Sequence, residues 1–155
     1  WLPVPRVTKA TLTAVSFAPG LTGAPPTHGW AAGHDALILG SGDGGRTWSE
    51  GADSSLPNPN SAVDFLRLKS GHHLLVYNHS FTNRTPLTAA LSVDGAKTFS
   101  RRLDLETDPK GDFGYPTALQ TRDGKIHVLY TSDERTVVRR IVLTEADLKS
   151  GESAR

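Results

Sequence analysis

Two short segments constrain this chain more than anything else in it: Ser41-Gly42-Asp43-Gly44-Gly45-Arg46-Thr47-Trp48 and Ser92-Val93-Asp94-Gly95-Ala96-Lys97-Thr98-Phe99. Both read Ser-x-Asp-x-x-x-Thr-aromatic. Each follows an apolar run, Ala36–Leu39 in the first case and Leu87–Leu91 in the second. An apolar run closed by a Gly/Asp-rich turn is a strand entering a tight reversal. The same reversal returning after about fifty residues marks a repeated β unit, and that period is the one expected of propeller blades. The fold class expected is all-β, with about three four-stranded antiparallel propeller blades.

The turn residues have folding roles. The Asp carboxylate accepts bonds from backbone N–H groups across the reversal. Gly44 and Gly45 permit positive φ. Thr47 and Thr98 are β-branched, and their hydroxyls can bond back into the turn. Trp48 and Phe99 then pack as large apolar plugs. Calcium binding by Asp43 and Asp94 is the competing reading, but one carboxylate per turn is far from the six or more oxygens that a hard cation takes. The glycines make no phosphate loop, because no Gly-Lys-Ser/Thr follows them.

Breakers divide the chain into units expected at 8–53, 54–107 and 108–150. The first has Leu12–Phe17, Gly29–Gly33 and Ala36–Leu39 as strands, a Pro19-Gly20 and Pro25-Pro26 loop, a join at His34-Asp35, and a short fourth strand opened by Thr47-Trp48-Ser49. Leu56-Pro57-Asn58-Pro59-Asn60 is a stiff connector, since two prolines forbid helix there. The second unit has Ala62–Leu68, His73–Tyr77, Leu87–Leu91 and Thr98–Leu105. The third has Tyr115–Thr121, an Asp123-Gly124 hairpin signal, Lys125–Thr131 and Thr136–Leu143. Thr144 can cap one helical turn at 145–148, a piece expected to contribute little. The count is four, four and three strands, and Leu2–Val7 is a candidate edge strand to complete the last blade.

Composition sets limits. The 155 residues suffice for a core, and 17 Lys+Arg against 16 Asp+Glu leave a net charge of +1, which gives no argument for a nucleic-acid partner. Arg101-Arg102 and Arg139-Arg140 lie in strand patterns and read as solvated faces. Without Cys there is neither a disulfide nor a thiolate metal site, and the histidines show no metal-ligand spacing. No apolar run is long enough to span a membrane as a helix. The chain has no Met and begins with Trp, so it is expected to be processed or an excerpt of something longer.

The two turns resemble the Asp box, or BNR repeat, of sialidases and related propellers. Ser41, Asp43, Gly45, Thr47 and Trp48 match it fully; Ser92, Asp94, Thr98 and Phe99 match it with Ala96 for Gly and Phe for Trp. Residues 54–148 are similar to the last three blades of the sialidase-like branch, through Leu56-Pro57-Asn58-Pro59-Asn60-Ser61, Tyr77-Asn78-His79-Ser80, Arg84-x-Pro86-Leu87, Tyr115-Pro116 and Asp123-Gly124-Lys125-Ile126-His127-Val128. The first fifty residues instead resemble blades of the photosystem II stability-factor type, which are scaffolds. A mosaic joined near Gly51–Ser55 follows from the two resemblances.

What the sialidase resemblance implies is half of a six-bladed glycoside hydrolase propeller with a sugar site on its axis; the alternative is a non-catalytic Asp-box scaffold or carbohydrate-binding module. Three arginines clamp the substrate carboxylate, a Tyr paired with a Glu is the nucleophile, and an Asp is the acid/base. A guanidinium fork suits a carboxylate, and a neighbouring carboxylate can take the phenol proton. Tyr115 matches the nucleophile, in a Tyr-Pro rather than Tyr-Ser context, and Arg84 matches a clamp arginine. The acid/base, the first clamp arginine and the Glu partner have no match; Glu50 and Glu106 are expected beside the Asp boxes, away from the site face. Core or rim packing is the other reading of Tyr115, and a plain surface loop that of Arg84. Asn58, Asn60 and Asn78 are candidate sugar ligands, with turn formation the alternative for the first two. His79 is a candidate sugar-binding or acid/base residue, or else a hydrogen-bonded loop histidine. The partners implied are sialic acid or another acidic glycan, and a second copy or the remainder of a longer chain to close the ring. No cofactor is implied, and a secreted or periplasmic location is.

Overall fold

The computed structural model describes residues 9, 11–17, 25–33, 37–51 and 54–150. The expected strand at Leu2–Val7, the Pro19-Gly20 turn and the His34-Asp35 join lie outside them. Three antiparallel meanders follow one another. The first holds β1 (Leu12–Phe17), β2 (Gly29–Gly33) and β3 (Ile38–Ser41); the second β4 (Asp64–Arg67), β5 (His73–Asn78), β6 (Leu87–Ser92) and β7 (Arg101–Glu106). The third holds β8 (Gly114–Gln120), β9 (Ile126–Ser132) and β10 (Val137–Leu143), followed by α1 (Glu145–Ser150). Among the described residues no helix is long and apolar enough to cross a membrane.

The second sheet is sandwiched between the other two, which explains its composition. Every residue of β5 and β6 is buried, because a strand covered on both faces cannot alternate apolar and polar. Leu75, Tyr77, Ala90 and Phe99 face the first sheet and meet Ala32 and Trp30 there. Leu74, Val76, Leu87, Ala89 and Leu91 face the third and meet Ile126, Val128 and Tyr130. β10 has no such cover, and Val138 on it is 68% exposed.

The first strands of the sheets stand side by side and are stitched by side chains. Thr13 Oγ1 donates to Val63 O at 2.7 Å, and Arg67 N to Ser16 Oγ at 3.3 Å, linking β1 to β4. Ala118 N donates to the Asp64 carboxylate, and Lys69 N to Gln120 Oε1 at 2.8 Å, linking β4 to β8. In the direction that these links share, β1, β4 and β8 run parallel. One end of the assembly therefore carries both Asp-box turns; the other carries 54–63, 79–86, 107–113 and 133–136.

Two expectations are corrected. The fourth strand at Thr47-Trp48-Ser49 does not form. Ser49 N–H reaches Gly40 C=O at 2.8 Å, but Gly40 N–H is taken by the Ser49 hydroxyl at 3.1 Å instead of a backbone carbonyl, so the ladder stops. The sheets thus have three, four and three strands. The C-terminal turn is also not idle: α1 packs on β6 and β7 and buries Leu148 completely. Its capping is reciprocal, with Thr144 N donating to Asp147 Oδ2 at 2.6 Å and Asp147 N to Thr144 Oγ1 at 3.4 Å.

Candidate functional site

The Asp boxes are closed on themselves. Thr47 gives Asp43 its N–H at 2.9 Å and its hydroxyl at 2.5 Å, while Ser41 Oγ donates to Asp43 Oδ1 at 3.0 Å and accepts from Gly45 N at 2.9 Å. The second box repeats this with Thr98, Ser92 and Ala96, at 3.0 and 2.6 Å for the two Thr98 bonds. Thr47, through its hydroxyl and then its N–H, holds the Asp43 carboxyl at about 2, and the Thr98 bonds hold Asp94 lower still. The carboxylate oxygens are engaged by the turn itself. Trp48 packs edge-on to Phe17 and against Ala31, Leu37 and Leu39, while Phe99 is buried against Phe65.

At the opposite end, Asn78 is the structural centre. It is fully buried, accepts from Ser61 Oγ at 2.7 Å, and donates Nδ2 to Arg84 O at 2.7 Å and Phe113 O at 3.1 Å. One amide thereby ties together three connections that enter or leave strands. Asn58 accepts from Ser61 N at 2.8 Å, forming the turn, and its Nδ2 is buried with no partner. Asn60 is exposed in the left-handed region, at φ 56°. His79 is engaged on both nitrogens: Nδ1 meets Tyr77 Oη at 2.6 Å and Nε2 meets Arg102 Nη1 at 3.3 Å. Because the guanidinium only donates, Nε2 accepts and Nδ1–H donates to the phenol. Desolvation, then Arg102, lowers the His79 pKa and keeps the ring neutral.

The loops that Asn78 ties bring Arg84 and Tyr115 together. Arg84 Cζ lies 6.0 Å from the centroid of the Tyr115 ring. Arg84 Nε faces Asp112 Oδ1 at 3.5 Å, while its Nη1 is buried without a hydrogen-bond partner. Tyr115 is 52% exposed and has φ 48°. A bulky residue in that region is an outlier. Its cause is the register: three steps from Gly114 to Thr117 oppose two from Thr131 to Leu129, a bulge that turns Tyr115 outward. Pro116 has no N–H to lose there.

The sequence misplaced one acid and missed several partners. Glu106 ends β7 opposite Leu87, a full strand past the Asp box, so it stands at the Arg84 end. Its carboxylate accepts from Tyr130 Oη, a Tyr–Glu pair among the described residues. Tyr130 is 2% exposed, and desolvation, then the Glu106 bond, pushes its pKa up, the reverse of an activated phenol. Asp112 and Arg135 also escaped the sequence reading; nothing in their spacing marks them. A cavity of about 350 Å³ lies elsewhere, lined by Ile38, Leu56, Phe99 and Arg102 among others.

Comparison with known proteins bears on this geometry. A family model described as a BNR repeat-like domain matches residues 29–128, running through the expected join. No curated protein sequence matches the chain. Among solved structures the chain is similar to a sialidase, at 26% identity and a TM-score of 0.60, over 74% of this chain and 12% of that one. It is similar to YCF48 from Cyanidioschyzon merolae at 23% identity and a TM-score of 0.50, over 95% of this chain and 42% of that one. A structure of YCF48 bound to D1 peptide matches at 20% identity and a TM-score of 0.50, over 90% and 41%. The chain spans less than half of each of these proteins. Its three sheets are propeller blades, and both resemblances read from the sequence are met.

Proposed function

The chain belongs to the BNR repeat-like domain family, and from that premise we propose that it is one sector of a sialidase-like propeller, binding the carboxylate of an acidic glycan at Arg84 and Tyr115. The observation that carries this reading is the unpartnered, buried Nη1 of Arg84 beside an outward-turned, strained Tyr115. A guanidinium N–H without a partner is matched by a carboxylate oxygen. Backbone strain held by the surrounding structure is a mark of functional positions.

The sector is a binding half-site rather than a complete glycosidase. Among the described residues Tyr115 has guanidinium neighbours and no carboxylate within bonding distance, so nothing takes its phenol proton. The remaining clamp arginines, the Glu and the acid/base are supplied by a second copy of this chain or by further blades of a longer one. The test is binding of N-acetylneuraminic acid, with aryl-sialoside hydrolysis measured alongside. Arg84→Gln is expected to weaken binding at least tenfold, as loss of a charge-assisted pair worth about 1.5–3 kcal/mol requires. No binding by the unaltered chain overturns the reading. Hydrolysis by this chain alone, abolished by Tyr115→Phe, replaces the half-site with a working hydrolase.

A further inference from the structure

The Tyr115 ring has a second cation that no motif announces. Arg135 Cζ lies 5.3 Å from the ring centroid, nearer than Arg84 at 6.0 Å. Arg135 reaches the ring from the β9–β10 turn, where Asp133, Glu134 and Arg135 have φ of 51°, 55° and 68°. One left-handed residue with a side chain is uncommon; three in succession persist only where neighbours hold them. The hold is visible. Asp133 Oδ2 accepts from Ser132 Oγ at 2.7 Å and from Arg139 Nη2 at 3.2 Å. The Asp133 carbonyl accepts from Thr136 N at 3.1 Å and from Thr136 Oγ1 at 2.6 Å. The turn is thus pinned on both sides of Arg135, and among the described residues Arg135 itself has no ion pair.

Two strained segments, the Tyr115 bulge and the 133–136 turn, therefore converge to set two guanidinium groups around one phenol ring. The ring's face attracts each cation, and among the described residues no carboxylate pairs with both. Asp112 faces Arg84 only, Asp133 is paired with Arg139, and Glu106 is taken by Tyr130 and Arg139.

We propose that Arg135 is a specificity-determining residue that contacts the anion, forming with Arg84 a two-guanidinium site that selects acidic over neutral sugars on the Tyr115 face. This rests on the reading of that face as a glycan site, and the experiment separates the two. The chain labelled with 15N-arginine is titrated with N-acetylneuraminic acid, with its methyl ester and with sodium sulfate, following the arginine Nε–Hε resonances. Arg84 and Arg135 are both expected to shift with the acid and neither with the ester. Arg135→Gln is expected to weaken acid binding at least fivefold with an unchanged melting temperature, Arg84 still responding. Arg135→Lys, which keeps the charge but not the fork, is expected to restore binding only in part. If Arg84 shifts with the acid and Arg135 does not, the role of Arg135 is overturned and the glycan face stands. If neither shifts with the acid, or both respond to sulfate alone, both are overturned.

Discussion

His73 makes the stability of this protein depend on pH in a window of its own. It opens β5 at 2% exposure, with its ring 4.3 Å from Trp30 and 5.5 Å from Phe65, and neither ring nitrogen has a hydrogen-bond partner. Desolvation, then the nearby Arg67 and His72, lowers its pKa from 6.5 to about 4, with Asp94 opposing. An unfolded chain leaves the ring near its ordinary value of about 6.5. Above that value the imidazole is neutral in both states and stability is intact. As the pH falls from 6.5 towards 4, the unfolded chain binds the proton first, so stability declines; below 4 both states carry it and the decline ends. At about 1.4 kcal/mol per pH unit the full loss is about 3 kcal/mol, a sizeable part of a domain's total. Asp43 and Glu145, both held at about 2, lose their stabilisation only below the ordinary carboxylate range. In the interval from 6.5 to 4.5 the decline comes from His73, with a smaller share from the half-exposed His79, while Asp64, whose carboxyl burial pushes up, opposes it. His73→Phe keeps the stack and removes the titration. Urea unfolding followed by tryptophan fluorescence is expected to show wild-type stability falling by about 2 kcal/mol between pH 7 and 5. The variant is expected to be nearly flat there, and more stable at pH 7 by about 1 kcal/mol, because no buried nitrogen is left unpaired. A wild-type profile that is flat over this interval, or a variant with the wild-type slope, refutes the reasoning.

Two further outcomes are expected. Ala96 holds φ 67° where the first Asp box has Gly45 at φ 83°, so Ala96→Gly should raise stability by about 0.5 kcal/mol in a thermal melt. The converse, Gly45→Ala, places a methyl 3.1 Å from the Phe17 ring at a positive φ and should lower stability by about 1–2 kcal/mol. The open face of the third blade aligns Val138 with Thr131 and Arg140 with Leu129, and the first blade exposes Val15 at 60%. If a second copy closes the ring, light scattering gives twice 16.6 kDa, and Val138→Glu returns the monomer; a monomer at all concentrations leaves further blades of a longer chain as the completion.

What could be read from the sequence divides along a physical line. Asp43 and Asp94 were legible because each Asp box is a local circuit, made by residues within seven positions of one another. β5 and β6 were legible because burial on both faces leaves an unbroken apolar run. The fourth strand of the first unit failed because Ser49 has the right propensity for a strand yet offers its hydroxyl in place of a carbonyl, and propensity does not register that exchange. Asn78 looked like a sugar ligand from its motif; its amide is buried and occupied by Ser61, Arg84 and Phe113, partners up to 35 residues away. Arg84 and Tyr115 came from the resemblance alone, and Arg135 came from neither. Its position depends on a left-handed turn without glycine, which no local pattern encodes.

That turn belongs to a wider asymmetry. Among the described residues, every glycine with positive φ (Gly44, Gly45, Gly71, Gly95 and Gly124) lies in a connection at the Asp-box end. Of the six other residues with positive φ, only Ala96 lies there; Asn60, Tyr115, Asp133, Glu134 and Arg135 all lie at the opposite end. Glycine is the relaxed solution to a left-handed position, and at the Asp-box end, where the turn serves the fold alone, the chain takes it. At the Arg84 end it takes the strained solution five times and keeps five side chains. At Tyr115, Glu134 and Arg135 that choice costs the fold about 1–2 kcal/mol each relative to a relaxed residue, whereas Asn60 and Asp133 tolerate the region better. The side chains themselves must be what is retained, and they are polar or aromatic without exception. Strain gathered at one end and relieved at the other supports, independently of any resemblance, the proposed site on the face where Arg84, Arg135 and Tyr115 meet.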